Sequence, residues 1–328
     1  MLDKYFPLYV TVFISTFVLT TVMEKFLIPR LTERAKQPIY EDGPKWHIKK
    51  SGTPTMGGIA FMLATALSLL SAGIFAFFFI SDYTAISVIL SLCYAILNSL
   101  IGVIDDLKKL IRKENAGLTP KQKLFLQLFS AVLFLAGRAL ILNDNTKITF
   151  SFGSFDLGLL YYPLSLIILL GVVNCANLTD GIDGLASSVA FSTGVSLFYI
   201  SAALSIETSF ISSAIMGASI GFLIFNLHPA KIFMGDTGSL FFGALISSCA
   251  FTLKNPIVII FIAGVYVIEG ITVILQVAFY KLTHKRIFKM APIHHHLEKC
   301  GWSENKICIV SILATFIFSI PIYIFYLP

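Results

Sequence analysis

Apolar runs recur along this chain, each near the roughly 17–25 residues that a helix needs to cross a bilayer. Short polar segments separate them. The runs predict ten helices, over about 4–26, 56–80, 85–104, 122–142, 160–176, 185–204, 209–226, 238–253, 257–280 and 306–326. An even number of spans puts both termini on one side. The connections after the odd-numbered spans, with their helix edges, carry twenty of the 24 lysines and arginines. Basic residues stay on the cytoplasmic side of a membrane, so those connections are expected inside and both termini outside. The first run has no basic segment before it; Lys25, Arg30, Arg34 and Lys36 follow it. That pattern reads as a retained span and not a cleaved leader. One outside connection is long. Over 143–158, polar and apolar residues alternate around Gly153 and Ser154, which predicts a small β-hairpin.

Composition agrees with the pattern. Of 328 residues, 56% are hydrophobic and 13% charged, and the mean hydropathy is +0.85. The fold class expected is an all-α polytopic membrane protein, one domain over 1–328, with its active site on the cytoplasmic face. The five cysteines, Cys93, Cys175, Cys249, Cys300 and Cys308, are odd in number and form no C-x-x-C. They read as unpaired thiols in a lipid setting.

Candidate chemistry crowds that cytoplasmic face. The first loop runs from Gly43 through Lys49, Lys50, Thr53 and Thr55 to Gly58, into the second span. Free backbone N–H groups at a helix start, beside lysine and threonine, favour an anion such as phosphate. Asp105 and Asp106 stand where the third span is expected to end, relieved by Lys108 and Lys109. A carboxylate pair there suits a general base, a metal ligand, or one of each. Gly117 to Lys123 opens the fourth span with two lysines, of which Lys121 is the candidate catalytic one. The segment Asn174 to Ala186 sets Asn177, Asp180, Gly181, Asp183 and Gly184 into apolar sequence. Such backbone at membrane depth is tolerated where it lines a cavity. After Asn226, the stretch to Ser239 puts Asp236 between glycines at a helix start, as N-cap or metal ligand, with Phe233 as a stacking face for a base. In the last inside loop, His294, His295 and His296 miss zinc spacing and suit phosphate contacts or proton transfer.

Five of these segments, GTPTMGG, IDDLKK, NLTDGIDGLA, NLHPAKIFMGDTGS and PIHHHLE, resemble the phospho-N-acetylmuramoyl-pentapeptide-transferases. These lipid I-forming translocases belong to the polyprenyl-phosphate N-acetylhexosamine-1-phosphate transferase superfamily. The likeness spans about Lys45 to Trp302. PIHHHLE points to the muramoyl branch. The resemblance implies an Mg²⁺-dependent transfer of phospho-MurNAc-pentapeptide from UDP-MurNAc-pentapeptide to undecaprenyl phosphate, giving lipid I and UMP for cell-wall synthesis. It implies ten helices with both termini outside, in the bacterial inner membrane, often as a homodimer, and no nucleic-acid partner. Carried onto this chain, Asp236 is the magnesium ligand and Asp105 the candidate base, with Asp106 supporting metal or lysine. Uridine falls near Lys49 or Lys50, Asn177, Asp180, Gly181, Asp183, Gly184 and Phe233. Thr55 and Asn226 complete the substrate set, and His294, His295 and His296 meet phosphate or sugar.

A GlcNAc-1-phosphate transferase is the nearest rival. A secondary transporter would place ionisable groups near span centres, and here the span centres read as apolar.

Overall fold

The computed structural model describes residues 2–34, 50, 52–112, 117–150 and 152–325. In chain order the helices are α1 (Leu2–Arg34), α2 (Gly58–Phe79), α3 (Asp82–Arg112) and α4 (Pro120–Leu140). After the strands β1 (Lys147–Phe150) and β2 (Gly153–Asp156) come α5 (Tyr161–Thr179), α6 (Leu185–Leu204), α7 (Ile206–Asn226) and α8 (Gly235–Thr252). The short α9 (Val258–Ile262), α10 (Gly264–Thr283), the short α11 (Ile293–Lys299) and α12 (Glu304–Phe325) complete the chain. Helices dominate because a chain in hydrocarbon must satisfy its backbone within each segment.

Among the described residues, α1 to α7, α10 and α12 are long and apolar enough to cross a membrane. The expected span not in that set is the eighth, over 238–253, which is α8. Its first turn is Gly-Asp-Thr-Gly-Ser, and it is buried without a break from Thr237 to Thr252. A helix enclosed by α3, α5, α7 and α2 has no lipid to match. The outer helices do the reverse. Ile14, Val18, Val22 and Phe26 of α1, and Phe125, Phe129 and Val132 of α4, are exposed. Apolar surface of that extent marks lipid contact in a helical bundle. Small residues let helices close on one another. A Cβ on Gly221 of α7 would fall 2.9 Å from the Phe17 carbonyl oxygen of α1.

Several expected boundaries move. The third span does not end near residue 104; α3 runs on to Arg112. Asp105 and Asp106 therefore lie inside a helix, with Lys109 one turn further on and facing them. The expected single span over 257–280 is broken at Ala263, where Gly264 packs against the Phe318 side chain of α12. Past Thr272 no residue of α10 is buried. The histidine loop holds a helix, α11. The hairpin is present with Lys147 opposite Asp156 and Phe150 opposite Gly153. Its turn precedes Gly153, where Gly153–Ser154 had been expected. The expectation of apolar span centres fails at Glu269, buried near the middle of the expected span 257–280; Glu24, also buried, lies at the edge of the expected first span. Glu269 has a histidine partner, described below. Among the described residues Glu24 has no hydrogen-bond partner.

Candidate active site

The site is built where α3, α4, α5 and α8 meet. On α3, Asp105 accepts the Leu118 N–H at 2.7 Å and pairs with Lys109 Nζ at 2.6 Å, one helical turn away. Asp106 turns toward α8. Its oxygens accept the N–H of Asp236 at 3.2 Å, the N–H of Thr237 at 3.0 Å and the Thr237 hydroxyl at 2.7 Å. A carboxylate there satisfies amides left open at a helix start and complements its positive end. The expectation that Asp236 caps α8 is corrected: the cap residue is Met234, and the capping carboxylate comes from Asp106 on another helix.

Asp236 is thereby free to face the site from the first turn of α8. Its Oδ2 takes Lys123 Nζ at 2.8 Å and Lys109 Nζ at 3.1 Å, and its Oδ1 takes Asn177 Nδ2 at 2.9 Å. Asn177 also bonds Ser239 and Lys123. Lys123 reaches in from α4, while Lys121 stands on that helix's exposed side. The close approach needs glycine. A Cβ on Gly235, whose φ is +69°, would lie 2.5 Å from Asp106 Oδ2 and 2.9 Å from Thr55 Oγ1. The loop before α2 is fixed against the same segment by backbone bonds: Phe233 N–H to the Pro54 oxygen at 2.8 Å, and Gly57 N–H to the Phe233 oxygen at 2.9 Å. This brings buried Thr55 and half-buried Phe233 to the cluster.

The turn from Asp180 to Gly184 forms a second lobe. Lys50 Nζ bonds Asp183 Oδ1 and Glu304 Oε2, both at 2.7 Å, and Glu304 Oε2 also accepts the Asp183 N–H. His228 Nδ1 lies 2.9 Å from Asp183 Oδ2. Gly184, at φ +78°, opens α6, and its N–H donates to Asn226 Oδ1 at 3.1 Å. Asn226 is 2% exposed and spends its amide on Gly184, Ser187 and the Ile232 carbonyl, so it acts as a strut of the turn. The Asp180 carboxyl is pushed up to about 8 by burial first, then by Asp236, Asp106 and Asp183; Lys50 opposes the shift. Lys49 lies outside the described residues.

On α11, buried His294 sets Nδ1 3.0 Å from Glu269 Oε2. Its ring packs on Gly181, where any Cβ would overlap it. His295 pairs with Glu298 at 2.6 Å, and His296 Nδ1 accepts the Lys289 N–H at 3.1 Å. Asp105, Asp106 and Asp236 each offer an oxygen within 4.8 Å of the others. Hard oxygen ligands in that number suit Mg²⁺, which takes one or two carboxylates with substrate oxygens and water. Asp106 is committed to three donors of α8, whereas Asp105 and Asp236 are held largely by lysine ammonium groups that a cation would displace, so the residues that fit are Asp236 and Asp105.

Residues 88–254 match the family model described as "Glycosyl transferase family 4", and residues 50–62 match "Phospho-N-acetylmuramoyl-pentapeptide-transferase signature 1". The protein of that name from Shouchella clausii is 45% identical over 316 residues, covering 94% of each chain. Those from Halalkalibacterium halodurans (44%, 90% of each chain) and Clostridium perfringens (40%, 95% of each chain) carry the same name. The chain belongs to this family. Family membership and the apolar helices together make it a multi-pass membrane transferase of phospho-sugars.

Sequence reading missed Lys109, Lys123, His228, Glu269 and Glu304 as site residues. Glu269 carried a signal, being the only acidic residue of α10; a carboxylate within an apolar span needs a buried partner. Glu304 carried none, since its partners Lys50 and Asp183 are far away in the chain.

Proposed function

We propose that this protein transfers phospho-MurNAc-pentapeptide from UDP-MurNAc-pentapeptide to undecaprenyl phosphate, releasing UMP and leaving lipid I in the membrane. The observation that carries the proposal is the joining of Asp105 and Asp236 with Lys109 and Lys123 at one end of the bundle. In the reaction an oxygen of the lipid phosphate attacks the sugar-linked phosphorus, and the bond from that phosphorus to the UMP oxygen breaks. Both reactants are anionic, so the site must offset their repulsion. Lys109 and Lys123 supply fixed positive charge there. Asp105 takes the proton of a protonated lipid phosphate, or orients Lys109. Asp236 and Asp105 would hold Mg²⁺. Bound there, the ion neutralises diphosphate oxygens and the charge growing on UMP.

Uridine is assigned to the lobe of Lys50, Asp180, Gly181, Asp183 and Gly184 and to the neighbouring Asn177, with Phe233 as the stacking face and Thr55 at the phosphates. The histidines of α11 meet phosphate or sugar. The lipid reaches the site along the exposed half of α10. The active site faces the cytoplasm of a bacterial plasma membrane, ten helices cross it, and both termini lie outside. The homodimer implied by the resemblance is retained as part of this reading.

UMP release by purified protein, with both substrates and Mg²⁺, tests the proposal. Turnover is expected only when both substrates and the metal are present. Turnover with UDP-GlcNAc in place of the muramoyl nucleotide would move the assignment to the rival branch.

A further inference from the structure

Glu269 lies within a membrane helix at 2% exposure. A carboxylate at such a place is costly unless a partner compensates it. Its partner is His294, fully buried, whose Nδ1 is 3.0 Å from Oε2; the same oxygen lies 3.4 Å from the His294 backbone N–H. The other ring nitrogen, Nε2, is buried with no hydrogen-bond partner among the described residues. An unsatisfied polar atom costs stability and marks a place where a ligand group gains by binding. Nε2 lies against Gly181, in the turn whose Asp183 holds Lys50.

We propose that Glu269 is a positioning residue for the transfer, holding the His294 ring so that Nε2 alone is left for the diphosphate of the nucleotide sugar. The proposal rests on the transferase reading above. A carboxylate on Nδ1 selects one orientation and one tautomer of the imidazole. In the doubly protonated ring Nε2–H donates to a phosphate oxygen. The helix holds Glu269 rigidly. Gly270 beside it lets α10 close on Cys175 of α5, and Tyr266 one turn earlier donates its hydroxyl to the Ala186 carbonyl at 2.8 Å. The ring and the donor turn are thus tied to the same pair of helices.

A double-mutant cycle on UMP release tests this with Glu269→Gln, His294→Ala and the pair. Glu269→Gln should lower kcat by about 10- to 100-fold, the loss typical of a missing orienting partner. It should leave KM for undecaprenyl phosphate unchanged, because that substrate does not meet His294 in this reading. The pair should fall no lower than His294→Ala alone. Wild-type turnover in Glu269→Gln overturns the proposal, and so does a multiplicative loss in the pair, since a role confined to folding or to another site adds independently. If Glu269→Gln does not fold, Glu269→Asp keeps the charge but withdraws it by one methylene, and the same cycle decides. A wild-type protein that releases no UMP overturns the transferase reading and this proposal together; an active wild type with a multiplicative cycle overturns this proposal alone.

Discussion

Three aspartates that look alike in sequence hold different positions because their neighbours differ. Asp106 is committed to the amides of α8, Asp105 to Lys109 and the Leu118 N–H, and Asp236 to two lysines and an asparagine. Asp236→Asn removes the charge that two ammonium groups face, and UMP release should fall by at least about 100-fold, the scale of losing one electrostatic contact to the transition state. Near-wild-type turnover with ordinary magnesium dependence would remove Asp236 from the site. The two lysines that open α4 divide in the same way. Lys123→Ala should cost at least about ten times more turnover than Lys121→Ala, because Coulomb energy at contact distance far exceeds that of a solvated charge. Equal losses would contradict the assignment. Asp180 gives a pH test. Burial and the neighbouring aspartates push its carboxyl up to about 8, from 3.8 for the ordinary group. Between those values the native state holds a proton that the unfolded chain releases, so stability falls as pH rises across that window. Without divalent cation, the unfolding temperature should decline from pH 5 to 8, and Asp180→Asn should flatten the decline. An unchanged slope in that variant would assign the dependence elsewhere.

Helix lengths and close approaches set how these groups meet. The apolar pattern of α3 marks where lipid ends, not where the helix ends. Because the helix continues to Arg112, Lys109 lies one turn beyond Asp105 and the pair forms. The α3–α8 contact depends on Gly102: a Cβ there would lie 2.5 Å from the Thr237 amide nitrogen, a backbone atom that cannot yield cheaply. Gly102→Ala should destabilise the protein by roughly 1–3 kcal/mol, the usual cost of overpacking. Thermal unfolding in detergent would read this as a lower midpoint, and an unaltered midpoint would show that the contact relaxes freely. α4 begins at Pro120, close to the expected 122, because Thr119 and Gln122 form a capping box and Pro120 takes the first helical position. The break at Ala263 was not visible, since Gly264 reads as a tolerated small residue until Phe318 of α12 packs on it.

At the scale of the whole molecule, polar density follows enclosure. The core helix α8 carries a carboxylate and several hydroxyls because other helices surround it, and its lower hydropathy reflects that position. The orientation drawn from the basic residues is open to a direct check. With Cys300 replaced, a cysteine at Ser154 in the hairpin should react with an impermeant reagent added to intact cells, and one at Ser303 should not. Labelling at Ser303 would invert the proposed topology.

The sequence by itself determined the membrane class, the course of most spans, the hairpin and the positions of Asp105, Asp106, Asp180, Asp183, Asp236 and the three histidines. The aspartates interrupt or close apolar runs, where the cost of polarity in hydrocarbon makes them visible without coordinates, and the histidines stand out as a run of three in an inside loop. Tertiary structure alone decided which charges pair. Lys50 meets Glu304 across 254 residues, His294 meets Glu269, and Asp106 caps a helix 130 residues away. A pairing is a property of two positions in space. No local spacing encodes it, because the helices that bring the partners together pack through glycines and apolar faces that carry no record of the charges they deliver.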